Sequence, residues 1–143
     1  MLRSALPGLG LGLAVAAMIG SGEASAQSAA RIFRVGYIVV ATPEEQAHLT
    51  KAFEDAMRDF GYVEGRDVAY ERRFAHGDTG RLPDLAAELV KLAPDVIVTG
   101  GNPVIAAVRR TATTIPVVMG ISRDPVGAGF VASYGRPGGN VNG

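Results

Sequence analysis

An α/β fold built on a doubly wound parallel sheet is predicted by three features of the sequence. Short apolar runs rich in β-branched residues recur along the chain, stretches of helical spacing separate them, and clusters of Gly, Pro and Asn punctuate the joins. Strands alternating with helices at this spacing imply right-handed βαβ crossovers. The natural strand order for such a unit is the flavodoxin-like 2-1-3-4-5.

The elements follow in order. Ile32 to Val40 carries Val35, Tyr37, Ile38, Val39 and Val40 in a near-continuous run, as expected of a strand buried on both faces. Thr42-Pro43-Glu44-Glu45 then supplies a capping box, with Pro43 at the first helical position and Glu45 reaching back. Leu49, Ala52, Phe53, Ala56, Met57 and Phe60 follow at helical spacing and predict an amphipathic helix of about four to five turns, with Gly61 as the stop. Val68, Tyr70, Arg72 and Phe74 alternate with Ala69, Glu71 and Arg73, which suits a strand at the sheet edge. A second helix is expected from about Arg81 to Ala93, ended by Pro94.

Asp95 to Thr99 reads as a third strand, and Gly100-Gly101-Asn102-Pro103 turns directly into a helix carrying Val104, Ile105, Val108 and Ala112. Ile115 to Met119 is the fourth strand. A weaker helix is expected around Gly127 to Tyr134, and Val141-Asn142-Gly143 opens a fifth strand after the Arg136-Pro137-Gly138-Gly139-Asn140 turn.

The N-terminus has a different character. Arg3 gives a short positive region, Ala5 to Ile19 is uncharged and almost wholly apolar, and Ala24-Ser25-Ala26 is a small-x-small cleavage site. These are the three parts of a secretory signal peptide, so residues 1–26 are expected to be removed and residues 27–31 to be a short linker. The apolar run is shorter than the roughly 20 residues of a spanning helix and contains Pro7 and several glycines, so no membrane insertion is expected after cleavage. Residues 32–143 then form the mature domain, placed in the periplasm by the leader.

Composition narrows the function classes. Lys+Arg and Asp+Glu both count 14, and a neutral chain has no electrostatic reason to seek nucleic acid. There is no cysteine, which excludes disulfides, thiolate catalysis and cysteine metal sites. His48 and His76 have no metal-ligand spacing to another candidate, so no metal is expected and both read as solvated. The turn after the first strand lacks a dinucleotide glycine fingerprint, and neither a phosphate-binding G-x-x-x-x-G-K-[ST] loop nor a G-x-S-x-G elbow occurs in the mature segment. No acid–base pair stands out, so neither catalysis nor a cofactor is expected.

In an open parallel sheet, ligands bind beyond the C-terminal strand ends, where the strand order reverses. Three loops meet there: Ala41-Thr42-Pro43, Gly100-Gly101-Asn102-Pro103, and Gly120 to Pro125. Each precedes a predicted helix whose free backbone N–H groups favour an anion. The candidate ligand-binding residues are Thr42, Gly101, Asn102, Ser122, Arg123 and Asp124. Structural roles fit the same positions. Thr42 and Asn102 are both suited to be N-caps, Gly101 to allow a tight turn, Asp124 to start a turn before Pro125, and Arg123 to pair with a neighbouring Asp.

The ordered run of motifs resembles a known family. Arg34-Val35-Gly36-Tyr37, Phe60-Gly61-Tyr62-Val63-Glu64-Gly65-Arg66 and Arg81-Leu82-Pro83-Asp84-Leu85-Ala86-Ala87-Glu88-Leu89-Val90 come first. Pro94-Asp95-Val96-Ile97-Val98, Thr113 with Ile115-Pro116-Val117-Val118, Asp124-Pro125-Val126-Gly127-Ala128-Gly129 and Arg136-Pro137-Gly138-Gly139-Asn140-Val141 complete it. The series resembles the ABC transporter substrate-binding protein family of the type 1 periplasmic binding fold, over essentially the whole mature chain.

That resemblance implies the first lobe of a two-lobed periplasmic protein that closes on a small solute, an amino acid or similar carboxylate, and delivers it to a membrane permease. It places the contact loops on Thr42, Gly101, Asn102 and Ser122 to Asp124. Asn102 stands where such proteins often have Ser or Thr, and Arg123 where a small residue is common. The resemblance also implies a second lobe past Gly143, so that weak or undetectable binding is expected of this lobe alone. The alternatives are a periplasmic sensory domain of the same fold and, from another class, an enzyme on a doubly wound fold.

Overall fold

The computed structural model describes residues 31–143. The expected leader, residues 1–26, and the linker up to Ala30 lie outside the described residues. Five strands form one sheet: β1 (Phe33–Val39), β2 (Val68–Phe74), β3 (Val96–Gly100), β4 (Val117–Ile121) and β5 (Val141–Asn142). All pairings are parallel and the order is β2-β1-β3-β4-β5, as expected. Three α-helices connect them: α1 (Pro43–Asp59), α2 (Leu82–Lys91) and α3 (Asn102–Thr111). A 3₁₀ turn at Thr79–Arg81 leads into α2, with the Asp78 carboxylate accepting the Gly80 N–H at 2.9 Å.

The core lies on one face of the sheet. Ile38, Ile97 and Val117 from three adjacent strands meet Leu82, Leu85 and Leu89 of α2 and Val104, Ile105 and Val108 of α3. Gly36 makes the close approach of α2 to β1 possible, because a Cβ there would stand 2.9 Å from Leu89 Cδ2. The helix ends at Lys91, two residues before the expected Ala93. Pro94 disfavours helical geometry in the residue before it, and Ala93 takes a left-handed φ of 49°.

The other face is covered unevenly. Phe53 of α1 meets the Tyr70 ring edge-on at 6.0 Å, and Glu54 accepts from Arg72 Nε at 2.8 Å, so α1 lies over β1 and β2. The 17-residue α1 has the expected length, but none of its residues is buried. Leu49 is 46% exposed and Phe60 82% exposed, while Val118 and Ile121 on β4 are 40% and 66% exposed. The apolar stripe is present, but only part of the sheet beneath it is covered.

The segment expected to be a helix around Gly127 to Tyr134 forms turns instead. Asp124 takes a left-handed φ of 44° and its carboxylate accepts the Gly127 N–H at 2.9 Å, closing a local turn. Gly129 follows with φ 73°, which a continuing helix cannot use. Val131, buried, ties the segment to the core. Asn140 then fixes the approach to β5. Its Nδ2 donates to the carbonyls of Ala112 and Ile115 at 2.6 and 2.7 Å, while its own carbonyl accepts the Val117 N–H at 2.7 Å.

Candidate functional site

The parallel register brings the loops after β1, β3 and β4 to one rim. Ile38 pairs with Thr99, Thr99 with Met119, and Gly100 with Ile121, so Thr42, Gly101–Asn102 and Ser122–Asp124 all follow strands that end on the same side. Beneath that rim, Thr99 is the buried polar side chain, and its hydroxyl donates to the Ile38 carbonyl at 2.8 Å. That bond satisfies the hydroxyl and ties β3 to β1 just below the loops.

The α1 end of the rim is closed by its own residues. Thr42 is the N-cap in extended geometry, its hydroxyl accepts from Glu45 N at 3.2 Å, and Glu45 accepts from Thr42 N at 2.9 Å. Glu44 adds a second carboxylate. Its pKa is lowered below the ordinary 4.5, first by its own backbone N–H and then by the Thr42 hydroxyl. Two carboxylates therefore occupy the donors that the sequence offered to an external anion, and α1 does not present a free N-terminus.

The α3 end differs. Gly101, with φ 89°, is the N-cap, no side chain caps the helix, and no acidic residue stands in its first turn. Asn102, expected to be a cap, is instead the first helical residue and reaches sideways. Its Nδ2 donates to the Arg123 carbonyl at 2.9 Å, and its Oδ1 accepts from Arg123 N and from Ser122 Oγ, both at 3.0 Å. The Gly101 N–H donates to the Ile121 carbonyl at 2.7 Å beside these bonds. The β3–α3 and β4 loops are thus joined at four points. Arg123 is exposed, and its guanidinium makes no ion pair among the described residues.

Asp124 turns its carboxylate back to Gly127 and holds the following turn. With Ser122 it lines a cavity of about 260 Å³ that also includes Met119, Tyr134 and Gly143. Gly101 belongs to a different, larger groove of about 480 Å³, lined by Tyr37, Leu49, Phe53, Val98 and Ile121. That groove runs along the open part of the sheet face, and its polar groups include Tyr37 and Gln46, which bond each other at 2.8 Å. Gly120 and Ile121, expected in the loop after the fourth strand, are the last two residues of that strand. Alternation along β4 exposes Val118 and Gly120, and the register shift opposite Thr99 and Gly100, which strand periodicity does not encode, leaves Ile121 exposed as well. His48 and His76 are both exposed, and among the described residues no group of three His, Asp or Glu is placed to hold a metal ion.

Known proteins share this architecture. A tyrosine-binding protein of Clostridioides difficile (strain R20291) is 33% identical over 93 residues, covering 65% of this chain and 27% of that protein. A crystal structure of a conserved domain protein from Vibrio cholerae O1 biovar El Tor strain N16961 superposes with a TM-score of 0.71 at 27% identity. It covers 78% of this chain and 38% of the other. An ABC domain from Streptococcus pneumoniae, solved in complex with L-Trp, superposes with a TM-score of 0.70 at 24% identity over 78% of this chain and 37% of its own, a likeness of fold. The chain therefore spans well under half the length of these relatives. The model of the ABC transporter substrate binding protein family matches residues 35–143, and the chain belongs to that family, whose members are substrate-binding proteins and not enzymes.

Proposed function

We propose that residues 32–143 form one wall of the solute site of an ABC-type uptake system, exported to the periplasm by the leader at residues 1–26, and that the solute is an α-amino acid. The solute lies against Thr42, Gly101, Asn102, Ser122, Arg123 and Asp124, and a membrane permease receives it. One observation carries the reading: the contrast between the two helix ends at the rim. The α1 end is filled by Glu44 and Glu45, whereas the α3 end has no acidic residue, and its first residue, Asn102, is bonded to the main chain of Arg123, an exposed residue with no ion pair among the described residues. A carboxylate is attracted to the second and repelled by the first, which orients an amino acid with its acid group toward Gly101 and Arg123. The tyrosine-binding relative supports an aromatic amino acid as the first solute to try.

The test is an ¹⁵N-resolved NMR titration of this chain with L-tyrosine, L-tryptophan and L-leucine, which detects weak binding to a single wall. Shifts are expected at the amides of Gly101, Asn102, Ser122 and Arg123. Shifts confined to residues away from the rim count against the reading.

A further inference from the structure

The geometry points to Asn102 as a positioning residue, a side-chain clamp that locks the β4 loop to the first turn of α3 and so fixes where Arg123 stands on the rim. This rests on the solute-site reading above for its purpose, but not for its test. The Asn102 amide engages both the N–H and the C=O of Arg123, at 3.0 and 2.9 Å, so one side-chain group satisfies both main-chain groups of that residue. The pairing falls where the backbone ladder needs it. The β3–β4 register shifts between Thr99 and Gly100, the ladder ends with Gly100 opposite Ile121, and Gly101 N–H adds one bond to Ile121 O. The backbone of residue 102 then turns into α3 and leaves the sheet, so its side chain holds the β4 loop where the main-chain ladder has ended.

The orientation of the amide is fixed by its partners. Turned over, Nδ2 would face the N–H of Arg123 and Oδ1 its carbonyl oxygen, two repulsive contacts in place of two bonds. The Ser122 hydroxyl fills the remaining lone pair of Oδ1 at 3.0 Å. With three of its four hydrogen-bonding positions used inside the protein, the Asn102 side chain can offer a solute beside it at most one N–H, and its main effect passes through Arg123. The side chains of residues 102 and 123 are 21 positions apart, so nothing local to either loop substitutes for the clamp.

The chain has no cysteine, which allows a clean spin-label test. A nitroxide is attached through Arg123→Cys, and a control label through Ala47→Cys on the exposed side of α1. With Asn102 present, the label at 123 is expected to show restricted motion. Asn102→Ala frees it while leaving the control label and the far-UV spectrum unchanged. Asn102→Asp keeps the two acceptor bonds and loses the donor, and gives intermediate motion. Hydrogen exchange on the unlabelled chain follows in parallel, with the Arg123 amide protected in the native sequence and exchanging on the order of tenfold faster in the Ala variant.

Equal motion at 123 in all three backgrounds overturns the clamp, as does a native Arg123 amide that exchanges freely. If the Ala variant does not fold, the Asp variant and the native exchange rate still decide. No solute enters either measurement. Amide shifts confined to residues away from the rim therefore strike the functional reading alone, and a mobile residue 123 strikes the clamp alone.

Discussion

The side-chain amide of Asn102 pairs with the main chain of Arg123, donating to its carbonyl at 2.9 Å and accepting its N–H at 3.0 Å. Two loops that leave different strands are thereby held as one edge. The arrangement leaves the Arg123 guanidinium outside the pairing, on an exposed residue without an ionic partner among the described residues. A charge placed this way contributes little to folding and is available to a ligand.

Arg123 is therefore expected to discriminate charge on the solute. Arg123→Ala should weaken binding of a free amino acid by about 10- to 100-fold, the range for a charge-assisted hydrogen bond, and leave the corresponding methyl ester unaffected. Arg123→Lys should recover part of the loss, and added salt should reduce the difference. Adding Asn102→Ala to Arg123→Ala should cost nothing further, since the first acts through the second. NMR titrations of the four proteins with L-tyrosine and its methyl ester provide the comparison, and an equal effect on acid and ester contradicts the role.

Thr42 and Glu44 give a pH-dependent prediction. Thr42→Ala removes the cap hydroxyl and should destabilise the chain by about 1 kcal/mol at neutral pH. Glu44 has a folded pKa below the ordinary 4.5, held there first by its own backbone N–H and then by Thr42. A carboxylate lowered on folding contributes stability that is complete above its unfolded value and is lost as pH falls through the folded one. The stability gap between native and Thr42→Ala chains should therefore be constant above 4.5 and narrow in stronger acid. Urea unfolding across that range measures it, and a gap that widens in acid refutes the assignment.

The packing of α2 on β1 is tested through Gly36 and Leu89. A Cβ at position 36 would press on Leu89 Cδ2 at 2.9 Å, so Gly36→Ala should cost about 1–3 kcal/mol by overpacking. Leu89 is fully buried, and Leu89→Ala should cost about 2–5 kcal/mol through its cavity. The new methyl at 36 sits where the Leu89 side chain was, so the double variant should cost less than the sum. Additive losses by chemical denaturation would show that the two residues do not share that space.

Much of the sheet was legible because its signals are local. β1 and β3 are continuous apolar runs, Pro94 marks the end of α2, and Thr42 with Glu45 spells a capping box within four residues. The strand order then follows from handedness. The less legible features depend on partners far away in sequence. Asn102 sits where a cap is common, and only folding brings it to Ser122 and Arg123. The stripe on α1 has the spacing of a core helix, yet its exposure is set by how little of the β3 and β4 face is covered, which periodicity along α1 does not encode. The segment after Asp124 retained enough apolar residues to suggest a helix, but a left-handed Asp124 and Gly129 chose turns.

Asn140 illustrates the same distance effect and gives the last prediction. In the sequence it is the end of a Pro-Gly-Gly-Asn turn. In the fold its Nδ2 donates to two carbonyls, those of Ala112 at the end of α3 and Ile115 just before β4, at 2.6 and 2.7 Å. Asn140→Ala leaves both acceptors without this partner and should cost about 1–3 kcal/mol. Asn140→Asp should be worse at neutral pH, because a carboxylate oxygen then faces two carbonyl oxygens, and it should recover toward the Ala value as acid protonates it. Since Val117 N–H donates to the Asn140 carbonyl at 2.7 Å, its hydrogen exchange should quicken in both variants. Thermal unfolding at two pH values decides the order, and an Asp variant as stable as the native chain at neutral pH would mean that Asn140 does not hold these carbonyls in solution.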